Sequence, residues 1–176
     1  MKTIKQEELI VSFLSQFGSE TAAMTEFIDY LSEFGYGPKK AKSSITFKHD
    51  LHGKQMAKMG VKYNKKTGVS PFFSLRFSAC RGYSERFEKI IGAYIKKYPT
   101  RDARCTDLRN CNYCKGEPFS HVYTQTIGGE TKYHCGAYAV EIPGFATGDL
   151  GEIKKLIAEE HEYLMKNEVN DASAAK

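Results

Sequence analysis

The sequence predicts an α+β fold, an antiparallel sheet packed against amphipathic helices with a zinc-ribbon-like insert, on three observations. Apolar residues recur at three- and four-residue steps in the first 34 residues and again in two later segments, the period of a helix with one buried face. Between those helical segments the period drops to two, as in strands that turn alternate side chains to a core. Cys105, Cys111 and Cys114 then fall within ten residues, and Cys135 follows on a hairpin.

The elements follow in order. Leu9, Ile10, Phe13, Leu14 and Phe17 define a first helix over 6–17, ended by Gly18. Ser19 is placed to cap a second, in which Ala23, Phe27, Tyr30, Leu31 and Phe34 repeat the period until Gly35-Tyr36-Gly37-Pro38 stops it. Ile45, Phe47 and His49 then alternate with Thr46, Lys48 and Asp50. After a Leu-His-Gly turn, Ala57, Met59, Val61 and Tyr63 oppose Lys54, Lys58 and Lys62, and a third run sets Phe73, Leu75 and Phe77 against Ser74, Arg76 and Ser78. Three such runs with short turns predict an antiparallel meander. Ser84 opens a helix striped by Phe87, Ile90, Ile91, Tyr94 and Tyr98 and closed before Pro99. Residues 100–120 lack any period. Val122–Ile127 and Thr131–Ile142 flank Gly128-Gly129, whose freedom at positive φ suits a tight hairpin turn. Asp149 and Glu152 resemble a capping box ahead of a last helix on Leu150, Ile153, Leu156, Ile157 and Leu164. The reading is one domain over 1–166, with the cysteine loop and hairpin at 105–140 and a frayed tail at 167–176.

Composition bounds the function. The 176 residues are 41% hydrophobic and 27% charged, enough apolar mass for a core and too much for a disordered chain. No apolar run reaches the roughly 18 residues of a membrane span. Met-Lys-Thr-Ile-Lys-Gln-Glu-Glu at the start is not a signal peptide, so a cytoplasmic setting is expected. The net charge of +5 is segregated. Residues 37–66 carry nine Lys against Asp50, whereas 1–36 and 141–176 each sum to −4. Such a basic block points either to a phosphate-bearing partner or to acidic helices lying on a basic sheet. Lys48, Lys54, Lys58 and Lys62, extended by Arg76, are the candidate phosphate or nucleic-acid face. No aromatic side chain falls on it in this reading, which argues against base stacking, and lysines on an open sheet face also guard against edge pairing.

The cysteine pattern is Cys-x5-Cys-x2-Cys-x20-Cys. Two thiolates at x2 spacing can reach one ion, and Gly116 permits the tight turn that aims backbone amides at sulfur. Cys105, Cys111, Cys114 and Cys135 are therefore the candidate zinc ligands, with His121 or His134 as substitutes for the fourth. Adjacent strand residues face opposite ways, so His134 and Cys135 do not bind one ion together. Four protein ligands leave no place for water, and such closed sites are structural. Reduced free thiols, a redox Cys111/Cys114 pair and an iron-sulfur cluster stand as alternatives, although Lys-Gly-Glu-Pro after Cys114 breaks the helix that a thioredoxin-like pair needs.

Cys80 reads as a small buried hydrophobe, His49 and His52 as surface residues of a turn, His161 as part of a solvated helix, and Tyr123, Tyr133, Tyr138 and Phe119 as core. No nucleophile elbow, phosphate loop, dinucleotide fingerprint or zinc-protease helix occurs. The segment from Cys111-Asn-Tyr-Cys-Lys-Gly through His134-Cys135-Gly-Ala-Tyr-Ala-Val-Glu-Ile-Pro into the acidic helix resembles a group of small bacterial proteins of unknown function. The resemblance spans about residues 105–166 and implies a bacterial cytosolic α+β domain, with no activity to carry over. The expected role is a small-ligand or partner-binding, regulatory module with a structural metal, its ligand in an apolar pocket between sheet and helices. Nucleic-acid binding through the basic block and a metal- or thiol-dependent enzyme are the alternatives.

Overall fold

A computed structural model describes residues 3–16, 21–65, 68–101, 103 and 119–174. In chain order the elements are α1 (Ile4–Leu14), α2 (Thr21–Glu33), β1 (Tyr36–Ala41), β2 (Ser44–His49), β3 (Gln55–Asn64), β4 (Gly68–Leu75), α3 (Glu85–Lys97), β5 (Val122–Ile127), β6 (Glu130–Cys135), β7 (Val140–Glu141) and α4 (Leu150–Ala174). The α+β class with an antiparallel sheet is as the sequence predicts. The chain divides into two compact units, Met1–Leu75 with Glu141–Ile157, and Arg76–Val140 with Ala158–Lys176.

In the first unit, α1 begins two residues earlier than its apolar period suggests. Thr3 caps it: its Oγ1 accepts from the Gln6 N–H at 3.3 Å, and Gln6 Oε1 accepts from the Thr3 N–H at 2.8 Å. The sheet has the order β1-β2-β3-β4-β7, with β1 to β4 joined as antiparallel neighbours. Strand β1 replaces the expected helix stop at Tyr36-Gly37-Pro38. Pro38, which lacks an N–H, is tolerated because β1 is an edge strand. The β1–β2 turn is made by Lys42 and Ser43 alone, with Lys42 at φ 47°, so no glycine marks it in the sequence. Phe27 of α2 lies edge-on to Phe73 at 4.6 Å and to Phe47 at 6.3 Å, and Phe73 meets Phe145 at 5.2 Å. That aromatic stack joins helix, sheet and the segment after β7, and it is the apolar burial that holds this unit together. Tyr63, expected on the inward face, is 77% exposed near the β3–β4 turn.

In the second unit, β5 and β6 pair antiparallel around Gly128 and Gly129, whose φ values of 60° and 84° match the expected hairpin. The predicted long second arm ends early. Gly136 follows β6, and a Cβ there would lie 2.2 Å from Ser78 Oγ and 2.4 Å from the His121 carbonyl oxygen, an approach only glycine permits. Phe77 is enclosed by Tyr83, Phe87 and Tyr123 at 5.3–5.8 Å.

Asp149 directly precedes α4. It ends a 3₁₀ turn, Thr147–Asp149, and its carboxylate accepts the Ala146 N–H at 3.1 Å. The α4 backbone is helical to Ala174, through positions where the composition predicts a frayed end.

Candidate functional site

Cys105, Cys111 and Cys114 lie outside the described residues. The fourth predicted ligand, Cys135, closes β6 and is half-buried. The described residues on either side of 104–118 are both held at it. The Arg101 carbonyl accepts the Cys135 N–H at 3.1 Å, the Ala103 N–H donates to the Tyr133 carbonyl at 2.9 Å, and Val122 is the cross-strand partner of Cys135. His134 is buried, its ring edge-on to that of Tyr94 at 5.7 Å. Among the described residues no three of His, Cys, Asp and Glu are grouped to hold a metal ion.

His121, a substitute in the zinc reading, is engaged elsewhere. Its Nε2 lies 2.6 Å from Glu160 Oε1 and 2.9 Å from Arg76 Nη2. Arg76 Nε donates to the same carboxylate oxygen at 2.8 Å, and Glu160 Oε2 accepts the Ala79 N–H at 2.8 Å. The ring of Tyr163 stacks on the imidazole at 4.9 Å. The Arg76, His121 and Glu160 side chains are no more than 2% exposed. Burial by itself would push the Glu160 carboxyl up, but the hydrogen bond from His121 and the charges of His121 and Arg76 outweigh it and hold the group below the usual carboxylate range. Arg76 therefore does not extend the lysine face. Both faces of the chain at 73–78 are buried, so the alternation that marked Ser74, Arg76 and Ser78 as outward fails there. Glu160 was legible in one respect: it falls on the stripe of Leu156 and Leu164, at four-residue steps, where a charge needs a buried partner.

Cys80 is buried as expected. Burial first, then the charges of Glu160 and Glu159, pushes its thiol up, which suits an inert side chain and not a nucleophile. His49, expected at the surface of a turn, is buried, while His52 lies in the turn and is half-buried. His49 is 8% exposed, the two rings stack at 4.2 Å, and each Nδ1 accepts a backbone N–H, from Leu51 and Lys54 respectively. Of the aromatic residues read as core, Tyr123 is fully buried, whereas Tyr138 and Phe119 are 45% exposed.

The lysine face is changed in composition. Cross-strand register aligns Lys39, Thr46, Lys58 and Ser74 in one row and Ser44, Gly60 and Phe72 in the next, so these share a face with Lys48 and Lys62. Lys54 precedes β3 in the turn. Phe72, absent from the face as read in sequence, lies beneath two ammonium groups, Lys62 at 5.0 Å and Lys58 at 5.7 Å from the ring centre. Lys62 also pairs with Glu141. Gly60 makes room, since a Cβ there would sit 2.9 Å from the Phe72 ring.

Beside α2 a groove of about 490 Å³ is lined by Ala22, Thr25, Glu26, Asp29, Tyr30, Glu33 and Lys154, three carboxylates and an ammonium among them. Lys154 bonds Glu26 at 2.6 Å and lies over Tyr30 at 5.3 Å. Among the described residues no helix is long and apolar enough to cross a membrane.

Compared with known proteins, the chain matches no family model, no curated protein and no solved structure.

Proposed function

We propose that this chain is a small-ligand or partner-binding, regulatory module in which a structural zinc ion clasps residues 104–118 to the β5–β6 hairpin. Cys105, Cys111, Cys114 and Cys135 would hold the ion as thiolates. A closed set of four sulfurs supplies folding free energy and no reactive water. The observation that carries the reading is the convergence on Cys135: Arg101 is hydrogen-bonded to it before the segment, and Val122 pairs with it after. Residues 104–118, which carry three cysteines, thus lie in sequence between two stretches that both meet the Cys135 backbone. The resemblance of residues 105–166 to small bacterial proteins adds a cytosolic setting, where thiols stay reduced and open to metal. Elemental analysis of protein purified without added metal or chelator should find about one zinc per chain. Cys111→Ser should lose the ion and melt several degrees lower. Absence of metal from the parent, with equal melting of parent and variant, overturns the zinc reading.

A second reading, single-stranded nucleic acid on the lysine face, is favoured by Phe72. An aromatic ring among lysines is the pairing that stacks a base while holding its phosphates. Binding of a fluorescent oligonucleotide should then fall steeply with salt and weaken in Phe72→Leu. Affinity indifferent to both removes this reading.

A further inference from the structure

We propose that Arg101 is the anchor of a phosphate-binding site, reading a phosphomonoester or free phosphate through the edge of its guanidinium. Three tyrosine rings gather at that group, its carbon lying 3.9 Å from the Tyr98 centre, 4.5 Å from that of Tyr138 and 5.8 Å from that of Tyr94. The backbone is fixed as well, since the Arg101 N–H donates to the Tyr98 carbonyl at 3.0 Å and its carbonyl accepts from Cys135. Rings packed against the guanidinium and a tethered main chain hold its planar row of N–H donors in place, and that edge is what recognises an oxyanion. One donor reaches the Tyr94 hydroxyl at a long 3.5 Å. Among the described residues no carboxylate pairs with this half-buried cation.

A second cation shares the same ring. Lys97 Nζ lies 5.4 Å from the Tyr98 centre, and it too pairs with no carboxylate among the described residues. Two like charges gathered at one tyrosine repel, and a doubly charged anion relieves that repulsion better than a single carboxylate. Phosphate also has enough oxygens to accept from a guanidinium edge and an ammonium at once. Tyr138, 45% exposed, forms the outer wall of the clamp.

The test is calorimetric titration of the full chain, as purified and at low salt, with inorganic phosphate, a nucleoside monophosphate and a hexose phosphate, and with sodium chloride as the control for ionic strength. One saturable site is expected for phosphate. Arg101→Lys, which keeps the charge and loses the planar fork, should weaken it by roughly tenfold. Tyr138→Leu, which removes one wall at a half-exposed position, should weaken it by a smaller factor with the melting temperature retained. Tighter binding of one ester than of free phosphate assigns the source of the group. No saturation below about 10 mM by any phosphate, or equal affinity in parent and Arg101→Lys, overturns the site. The inference names the ligand class of the small-ligand module and rests on that reading, independently of the metal. Protein that carries zinc and takes no phosphate overturns this site alone, while protein without zinc that binds phosphate overturns the zinc alone.

Discussion

Glu160 shows how one residue can be expensive to bury and still required. Its carboxylate sits at 0% exposure on an apolar helix face, satisfied on one oxygen by Arg76 and His121 and on the other by a backbone N–H. Removing one partner from such a set leaves the others charged and buried, so Glu160→Gln should lower stability by about 3–5 kcal/mol in urea unfolding at neutral pH. An unchanged midpoint would show that the network carries no net energy. The pH dependence follows from the lowered carboxyl. Its stabilising contribution is complete above 4.5, the ordinary value for the group, and disappears as pH falls from there through the depressed value of the folded state. Parent protein should thus lose stability on the acid side more steeply than Glu160→Gln, which has no proton to take up there. Parallel acid limbs in the two proteins would assign the effect to other carboxylates. The last helix reads as solvated around position 160, although Glu160 falls between Leu156 and Leu164 at four-residue steps, and Arg76 and His121, 84 and 39 residues away in the chain, are joined to it by no local rule.

At the scale of elements, the turns and close approaches decide where strands stop. Lys42 occupies a left-handed conformation that costs a side-chain-bearing residue about 1 kcal/mol, so Lys42→Gly should stabilise the β1–β2 hairpin by up to that amount. A loss of stability in its place would show that glycine's greater freedom in the unfolded chain outweighs the relief. Gly136 is the opposite case. A methyl group there meets a backbone oxygen, which cannot rotate aside as a flexible side chain can, and Gly136→Ala should destabilise by about 1–3 kcal/mol. Thermal melts of the two variants beside the parent check both signs. These positions also explain the errors in strand assignment. Periodicity found β2, β3, β4 and the β5–β6 hairpin because each alternates along its length. It missed β1, whose Gly-Pro-Lys-Lys composition is that of an edge strand and not of a half-buried one.

For the whole molecule, the two compact units differ in what they ask of the cysteine segment. The first is built on the aromatic core of Phe27, Phe47 and Phe73. The second contains that segment and the thiol of Cys135. If zinc clasps it, a strong chelator should lower the melting temperature and a stoichiometric return of zinc should restore it, a reversibility that separates metal loss from chelator damage. Identical melts with and without chelator would place the stability of the second unit in its aromatic core alone.

The sequence by itself determined the α+β class, the faces of α2 and α3, the Gly-Gly hairpin and the burial of Cys80. All of these follow from local period and backbone freedom, which act over a few residues. Tertiary structure decided that Arg76 points inward to Glu160 and His121, that Phe72 joins the lysines of the sheet face, and that Arg101 packs against the rings of Tyr98 and Tyr138. Each of those depends on partners distant in the chain, and a charge reads as solvated until the element that covers it is in position.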